Sequence, residues 1–220
     1  MYLLYHHPIC PFSRQIRVIL AESKITFDLH VEKYWQNTNS LFKVSPSGEL
    51  PVLISDKKPI SSITAILEYI NDKHSVDIMP KDIYQKAETR RLNSWFNIKF
   101  YQEVVKYIVD ERFVKLMSNV DYPRIATIKI AKQNFHYHAL YLTSIINEHN
   151  NLVQEQVSVA DIVCASHFSI LDYFGDIEWD RYPELRQWYT LIKSRPSFKQ
   201  ILKDYVIGIA PHHRYTKLDF

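Results

Sequence analysis

The spacing of hydrophobic residues along the chain changes at about residue 78. Before that point, short apolar or alternating runs predict four β-strands, at 2–6, 26–31, 51–54 and 59–61. Longer amphipathic runs predict helices at 11–23, 36–44 and 63–73. Strands that alternate with helices and end in a hairpin predict a small mixed sheet flanked by helices.

Beyond residue 83 only the helical period remains. One apolar stripe, with residues at i, i+3, i+4 and i+8, is formed by Leu92, Trp95, Phe96 and Phe100. Further helices are predicted at 123–149, 158–173, 182–194 and 196–204. We therefore predict an α/β domain at 1–78, a linker around Pro80 and an all-α domain at 84–220. Residues 205–220 lack a period and are predicted to form an extended tail.

Composition excludes several classes of function. The 27 Lys and Arg residues nearly balance the 24 Asp and Glu residues, and a net charge of +3 is too small for a nucleic-acid binder. With 3 glycines there is no glycine-rich phosphate loop. Two cysteines and the lack of a signal peptide favour a cytoplasmic protein, and no apolar run reaches the 18 or so residues of a membrane helix. No metal site is predicted, because His136 and His138 face different directions on a helix.

Cys10-Pro11-Phe12-Ser13 lies where the first strand meets the first helix. A thiol there faces the free N–H groups and the positive end of the helix, which favour the thiolate. We therefore expect a lowered pKa for Cys10 and a nucleophilic sulfur, with Ser13 placed to donate to a sulfur atom. The alternative is that Cys10 is a small buried apolar residue.

The segment from Ser45 to Pro51 is a loop that ends in a proline directly before a strand. This arrangement predicts a cis peptide between Leu50 and Pro51. In one interpretation the Leu50 backbone pairs with a peptide ligand as an added strand would. In the other, the loop is a rigid turn without a ligand role.

Ser158 to Asp161 precede an apolar run and predict a capping box, in which Ser158 and Asp161 satisfy each other's backbone N–H groups. Their role is in folding. Asp172 and Asp176 lie near a predicted helix end, and we interpret them as capping and loop residues.

Taken together, these motifs resemble the glutathione S-transferase superfamily over essentially the whole chain. The resemblance implies a thioredoxin-like N-terminal domain, a helical C-terminal domain and a homodimer. It further implies that Cys10 or Ser13 would activate sulfur and that Leu50, Pro51 and Ser62 would hold glutathione. The chain departs from the family at Ser62 and Ile63, where Glu-Ser is usual. Loss of hydrogen bonds to a charged ligand end, each about 1.5–3 kcal/mol, weakens glutathione binding.

A second group of matches is densest in the C-terminal half. It includes Arg90-Arg91, Asp172 to Asp176 and the segment from Gly208 to Pro211. These residues resemble the alphaproteobacterial FzlA-type proteins, which have the glutathione S-transferase fold and bind the division protein FtsZ. This resemblance implies a non-catalytic partner of the FtsZ polymer that requires no cofactor. The alternative is a glutathione-dependent transferase or thiol transferase that uses Cys10 or Ser13.

The tail carries the residues that we expect to contact the partner. Aromatic and arginine side chains commonly anchor interfaces, and an aperiodic apolar tail must pack on something. The candidates are Arg214, Tyr215, Leu218 and Phe220. The alternative, compatible with the first, is that the tail packs on its own helical domain.

Overall fold

In a computed structural model, which describes residues 1–120 and 122–218, the N-terminal part forms one four-stranded sheet with the strand order β2-β1-β3-β4. The strands are β1 (Tyr2–His6), β2 (Phe27–Val31), β3 (Val52–Ser55) and β4 (Lys58–Ser61). β1 runs parallel to β2 and antiparallel to β3, and β3 and β4 form a hairpin. The predicted mixed sheet is confirmed.

Three helices accompany the sheet, namely α1 (Pro11–Glu22), α2 (Asn39–Val44) and α3 (Ile63–His74). The single helix predicted at 36–44 is wrong in detail, because a 3-10 turn (Tyr34–Gln36) precedes α2. Asn37 separates the two with a left-handed backbone, φ 48°. This conformation stops the first turn, and Thr38 then caps α2 by accepting a hydrogen bond from the Leu41 N–H.

The C-terminal part is helical, as predicted. Its first helical rod comprises α4 (Ile83–Ser94), a π-helical stretch (Trp95–Val105), α5 (Lys106–Val109), a second π-helical stretch (Asp110–Val114) and α6 (Lys115–Ser118). The remaining elements are α7 (Ile125–His149), α8 (Val159–Phe174), a 3-10 turn (Trp179–Arg181), α9 (Pro183–Ser194) and α10 (Pro196–Leu202). No helix in the described part of the chain has the length and apolar character needed to cross a bilayer.

Helix α8 is the centre of the helical domain, and all of its residues except Phe174 are buried. The predicted capping box opens it: the Asp161 carboxylate accepts from the Ser158 N–H at 2.8 Å. Asp161 also accepts from the Leu152 N–H at 2.9 Å and from the Trp188 indole at 3.1 Å. One buried carboxylate therefore ties the start of α8 to the preceding loop and to α9.

Ion pairs from α1 hold the two domains together. Arg17 forms a two-pronged pair with Asp204, with N–O distances of 2.7 and 2.9 Å. Arg195 forms a similar pair with Glu22 at 2.6 and 2.8 Å. Planar, doubly hydrogen-bonded pairs of this kind fix orientation as well as distance. The middle and the C-terminal end of α1 are thereby held against the helical domain.

The tail, here residues 205–218, folds back onto the helical domain. Tyr173 on α8 holds it with three hydrogen bonds: its hydroxyl donates to Ile209 O (2.6 Å) and accepts from Val206 N–H (3.2 Å), and its carbonyl accepts from His212 N–H (2.8 Å). The prediction of an extended tail is correct only in that this segment lacks a helix. The hydrogen bonds to Tyr173 fix the course of the tail backbone.

Candidate functional site

A cleft of ≈ 280 Å³ lies between the two domains. The N-terminal domain contributes its floor and one wall, and the first helical rod contributes the other wall. From the N-terminal domain the lining residues include Cys10, Phe12, Tyr34, Glu49, Leu50, Pro51, Ser62 and Ile63. From the rod they are Asn97, Tyr101, Gln102 and Val109. The structure therefore brings four of the residues predicted from the sequence, Cys10, Leu50, Pro51 and Ser62, into one cavity.

Cys10 caps α1 and is almost fully buried. Its sulfur accepts a hydrogen bond from the Ser13 N–H at 3.4 Å, and its thiol donates to Leu50 O at 3.8 Å. Burial raises the pKa of the Cys10 thiol, and hydrogen bonds from Ser13 offset only part of that rise. The expectation of a lowered pKa was wrong, because loss of solvation outweighs the helix N-terminus. Cys10 remains a thiol at neutral pH.

Ser13 is fully buried, and its hydroxyl accepts a hydrogen bond from the His7 N–H at 3.4 Å. Its side chain also hydrogen-bonds to Cys10, so it is placed to act on the Cys10 sulfur. It is not among the residues that line the cavity, and the expectation that Ser13 activates a ligand sulfur stays a prediction.

The loop predicted to hold a peptide ligand has the expected backbone form. The Leu50–Pro51 peptide is cis. Within this loop, Gly48 has φ +71°, and a Cβ there would lie 2.9 Å from the Phe42 ring. Glycine suits this position, since the positive φ strains any larger residue and its Cβ would displace the Phe42 ring.

The residues at the expected glutathione position differ from the family pattern. Glutathione has two carboxylates and one ammonium group, and carboxylates pair with cations or accept hydrogen bonds from N–H and O–H groups. Among the described residues that line the cleft, the charged side chain is Glu49, a carboxylate. Ser62 lies on the wall with a left-handed backbone, φ 79°, and Ile63 beside it has no hydrogen-bonding side chain. The Glu49 carboxylate attracts the ammonium group of the tripeptide and repels its two carboxylates.

Behind the cleft wall lies a buried cluster of polar side chains. Gln15 Nε2 donates to Asn97 Oδ1 at 2.8 Å and lies 3.0 Å from His167 Nε2, which is 3.0 Å from Asn97 Oδ1. Burial lowers the pKa of His167 from 6.5 to about 3. The imidazole is therefore neutral in the folded protein. Through its Oδ1 atom, the cluster holds the side chain of Asn97, which also lines the cleft.

We expect His167 to make the protein sensitive to acid. Its folded-state pKa is below 6.5, so the unfolded chain binds the proton first. Its contribution to stability is complete above pH 6.5 and declines as the pH falls toward 3. At pH 5 the loss is about 2 kcal/mol. Urea unfolding of the wild type and His167→Gln at pH 7 and pH 5 should show a pH-dependent loss smaller by that amount in the variant. Equal losses in both proteins would refute this assignment.

Tyr215, predicted to contact a partner, is instead a buried anchor of the tail. It is 0% exposed, and its hydroxyl donates to Ile201 O at 2.9 Å. Its ring packs edge-on against Tyr173 at 5.1 Å between centroids, and the Arg14 guanidinium lies 5.6 Å from its centre. The prediction of a partner contact was wrong at this position, and the alternative, in which the tail packs on its own helical domain, holds for Tyr215.

A buried ion pair adjoins this anchor. Lys193 Nζ lies 2.9 Å from Asp172 Oδ2 and also donates to the Arg214 carbonyl at 3.3 Å. The Trp179 indole donates to Asp172 Oδ1 at 3.1 Å. Burial raises the pKa of Asp172 and lowers that of Lys193, and the attraction between the two groups offsets part of both shifts. The pair therefore connects α8, α9 and the tail.

Asp172 lies in the last turn of α8 and Asp176 in the loop that follows it, as predicted, but their carboxylates also make tertiary ion pairs that were not predicted. Both carboxylates are buried and paired; Asp176 accepts from Arg112 at 2.9 and 3.1 Å and lies 3.3 Å from Lys132. The sequence did contain a signal for this pairing, because both acids lie in the otherwise apolar run around α8. A charge in such a run must find a partner.

The remaining predicted contact residues are at the surface or beyond the described chain. Arg214 is half-buried, Leu218 is 40% exposed, and Phe220 lies outside the described residues. The tail exposes two further apolar residues within the predicted contact segment, Tyr205 and Ile207, and Ile207 is 85% exposed. The tail thus has an inner face that packs and an outer face that is open.

Comparison with known proteins decides the family. Two family models match, the glutathione S-transferase N-terminal domain over residues 9–73 and the glutathione S-transferase C-terminal domain over residues 109–204. The chain is also 34% identical to FtsZ-localized protein A of Caulobacter vibrioides over 222 residues, covering 99% of this chain and 97% of that protein. This chain belongs to the glutathione S-transferase superfamily.

Two solved structures agree closely with the fold. FzlA from C. crescentus superposes with a TM-score of 0.96 at 33% identity, covering 100% of this chain and 99% of that one. A glutathione S-transferase from Rhodospirillum rubrum superposes with a TM-score of 0.95 at 34% identity, with both chains covered completely. The resemblance to the superfamily and to FzlA-type proteins is therefore confirmed.

Proposed function

We propose that this protein is a non-catalytic FtsZ-binding factor of cell division that acts in the cytoplasm. The observation that carries the proposal is the similarity to FtsZ-localized protein A along the whole length of both chains. A match confined to the sheet domain would support only a shared fold. Here it extends through the helical domain and the tail region, where partner-specific surfaces are expected.

The chemistry of the cleft supports a non-catalytic role. Cys10 is buried as a thiol, and Ser13 lies outside the cavity. A transferase of this superfamily needs a group that activates the sulfur of its thiol substrate. Neither residue is placed in the cleft in an activated form, so the transferase alternative is the weaker one.

The outer face of the tail is the proposed contact surface for FtsZ. Tyr205 and Ile207 are exposed apolar residues, Leu218 is partly exposed, and Lys217 adds positive charge beside Arg214. Exposed apolar side chains bordered by charges are typical of interfaces. Tyr173, Tyr215 and Lys193 hold the backbone in place, so this surface is preformed.

The proposal predicts that Ile207→Glu weakens FtsZ binding. A charge at the centre of an apolar contact removes burial and adds a desolvation cost, so we expect about a tenfold loss of affinity. The measurement is co-sedimentation with purified FtsZ polymer over a concentration series. The matched control is Leu140→Glu, an exposed apolar residue on α7. Equal loss in both variants, or no loss in either, would argue against the tail surface.

We also propose a homodimer, formed through the face that joins α3 to the first helical rod. A groove of ≈ 300 Å³ is lined there by Ile63, Leu67 and Ile98, and Ile98 is 63% exposed. Burial of such a side chain stabilises association by about 1.5–3 kcal/mol. A second copy would cover this groove on both subunits at once, as a two-fold interface requires.

The dimer proposal predicts that Ile98→Glu yields monomers. Light scattering after gel filtration should give half the mass of the wild-type species. Leu191→Glu serves as the control, since Leu191 is exposed to the same extent on α9. A wild-type protein that elutes as a monomer at tens of micromolar would refute the proposal.

A further inference from the structure

The cleft contains the elements of an amine-binding site. Three aromatic side chains line it, Phe12, Tyr34 and Tyr101, and each of them is partly exposed. The rings of Phe12 and Tyr101 lie 4.6 Å apart in an edge-to-face arrangement. Burial raises the pKa of both tyrosine hydroxyls, so these rings are neutral and electron-rich at physiological pH. Neutral aromatic rings attract cations through their faces.

A carboxylate lines the same cleft and acts electrostatically on Tyr101. Glu49 lines the cleft with an exposed side chain, and within residues 1–120 and 122–218 its carboxylate has no hydrogen-bond or ion-pair partner. Asp110, the other acid that acts on Tyr101, is paired with Lys106. Glu49 is therefore the available countercharge for a ligand.

The described lining includes no Lys, Arg or His side chain. An anionic ligand would meet Glu49 without compensation, whereas an ammonium group would meet a carboxylate and aromatic faces. Asn97 and Gln102 on the opposite wall supply neutral hydrogen-bonding groups. The volume of ≈ 280 Å³ accommodates one ring system with a short chain.

We propose that this cleft binds a small organic cation, an arylalkyl amine, in place of the anionic glutathione. The ammonium group pairs with the Glu49 carboxylate, and the ring packs against Phe12, Tyr34 and Tyr101. No bond is made or broken. The proposal does not depend on FtsZ binding, because it rests on the cleft and not on the tail.

Two probes with the same ring and opposite charge test the proposal. Tryptamine carries an ammonium group, and indole-3-propionate carries a carboxylate. Calorimetric titration of the full chain should show tryptamine binding at least about tenfold tighter than indole-3-propionate, the size of one charge-assisted contact. Glutathione, titrated in parallel, should bind more weakly than tryptamine.

Two variants test whether Glu49 contacts the ammonium group of the ligand. Glu49→Gln should weaken tryptamine about tenfold and leave indole-3-propionate unchanged or tighter, because it removes one charge from an exposed loop. Glu155→Gln, an exposed acid in the helical domain, should change neither. Preference for indole-3-propionate or glutathione, an unaltered tryptamine affinity in Glu49→Gln, or no tryptamine binding at millimolar concentration would each overturn the proposal.

Discussion

Tyr215→Ala is expected to lower the free energy of unfolding by about 3–5 kcal/mol, the range for removal of a buried aromatic ring. The ring is fully buried and contacts both Tyr173 and Arg14, so its loss leaves a cavity at the base of the tail. The same change should free the tail from the helical domain. Urea denaturation measures the first effect, and limited proteolysis within the tail measures the second.

Tyr215→Phe is the matched control. It keeps the ring and removes the hydroxyl that donates to Ile201 O, so a loss of about 1–2 kcal/mol is expected, with the tail still resistant to protease. If the alanine variant were as stable and as resistant as the wild type, the tail would not be anchored as described.

Lys193→Met should destabilise the protein by about 3–5 kcal/mol, because it leaves the Asp172 carboxylate charged and unpaired inside the helical domain. The size of the effect comes from the burial of both groups, which are paired at 2.9 Å. Methionine has a similar length, so loss of packing is a minor part of the change. Urea unfolding at pH 7 is the measurement.

A second variant separates charge from volume. Lys193→Met combined with Asp172→Asn removes the stranded charge and should recover a large share of the stability lost in the single variant. Lys199→Met, on the exposed side of α10, should change stability by less than about 0.5 kcal/mol. A single variant no worse than Lys199→Met would show that the buried pair is not required.

Much of the fold follows from local pattern. The four strands, α1, α3, α7 to α10 and the capping box at Ser158 were predicted within a few residues, because period and capping chemistry are local properties. The cis peptide before Pro51 was predicted for the same reason. Local pattern does not predict which residues from distant parts of the chain pack over a given side chain.

The errors at Cys10 and Tyr215 share that cause. Both residues have the chemical type expected of a site, yet the chain places other residues over them. Because Cys10 is buried, its pKa is raised and not lowered as predicted. Because Tyr215 is buried, it anchors the tail and does not contact a partner. Leu50, Pro51 and Ser62 reach the cleft as predicted, but Glu49, which supplies its charge, was not singled out.

The most direct test of the account measures FtsZ and glutathione binding on one preparation. Purified FtsZ polymer is sedimented with increasing amounts of the protein, and the same sample is titrated with glutathione by calorimetry. The account predicts saturable co-sedimentation with FtsZ at micromolar concentration and no measurable glutathione binding in that range. Tight glutathione binding without co-sedimentation would contradict it and would favour the transferase alternative.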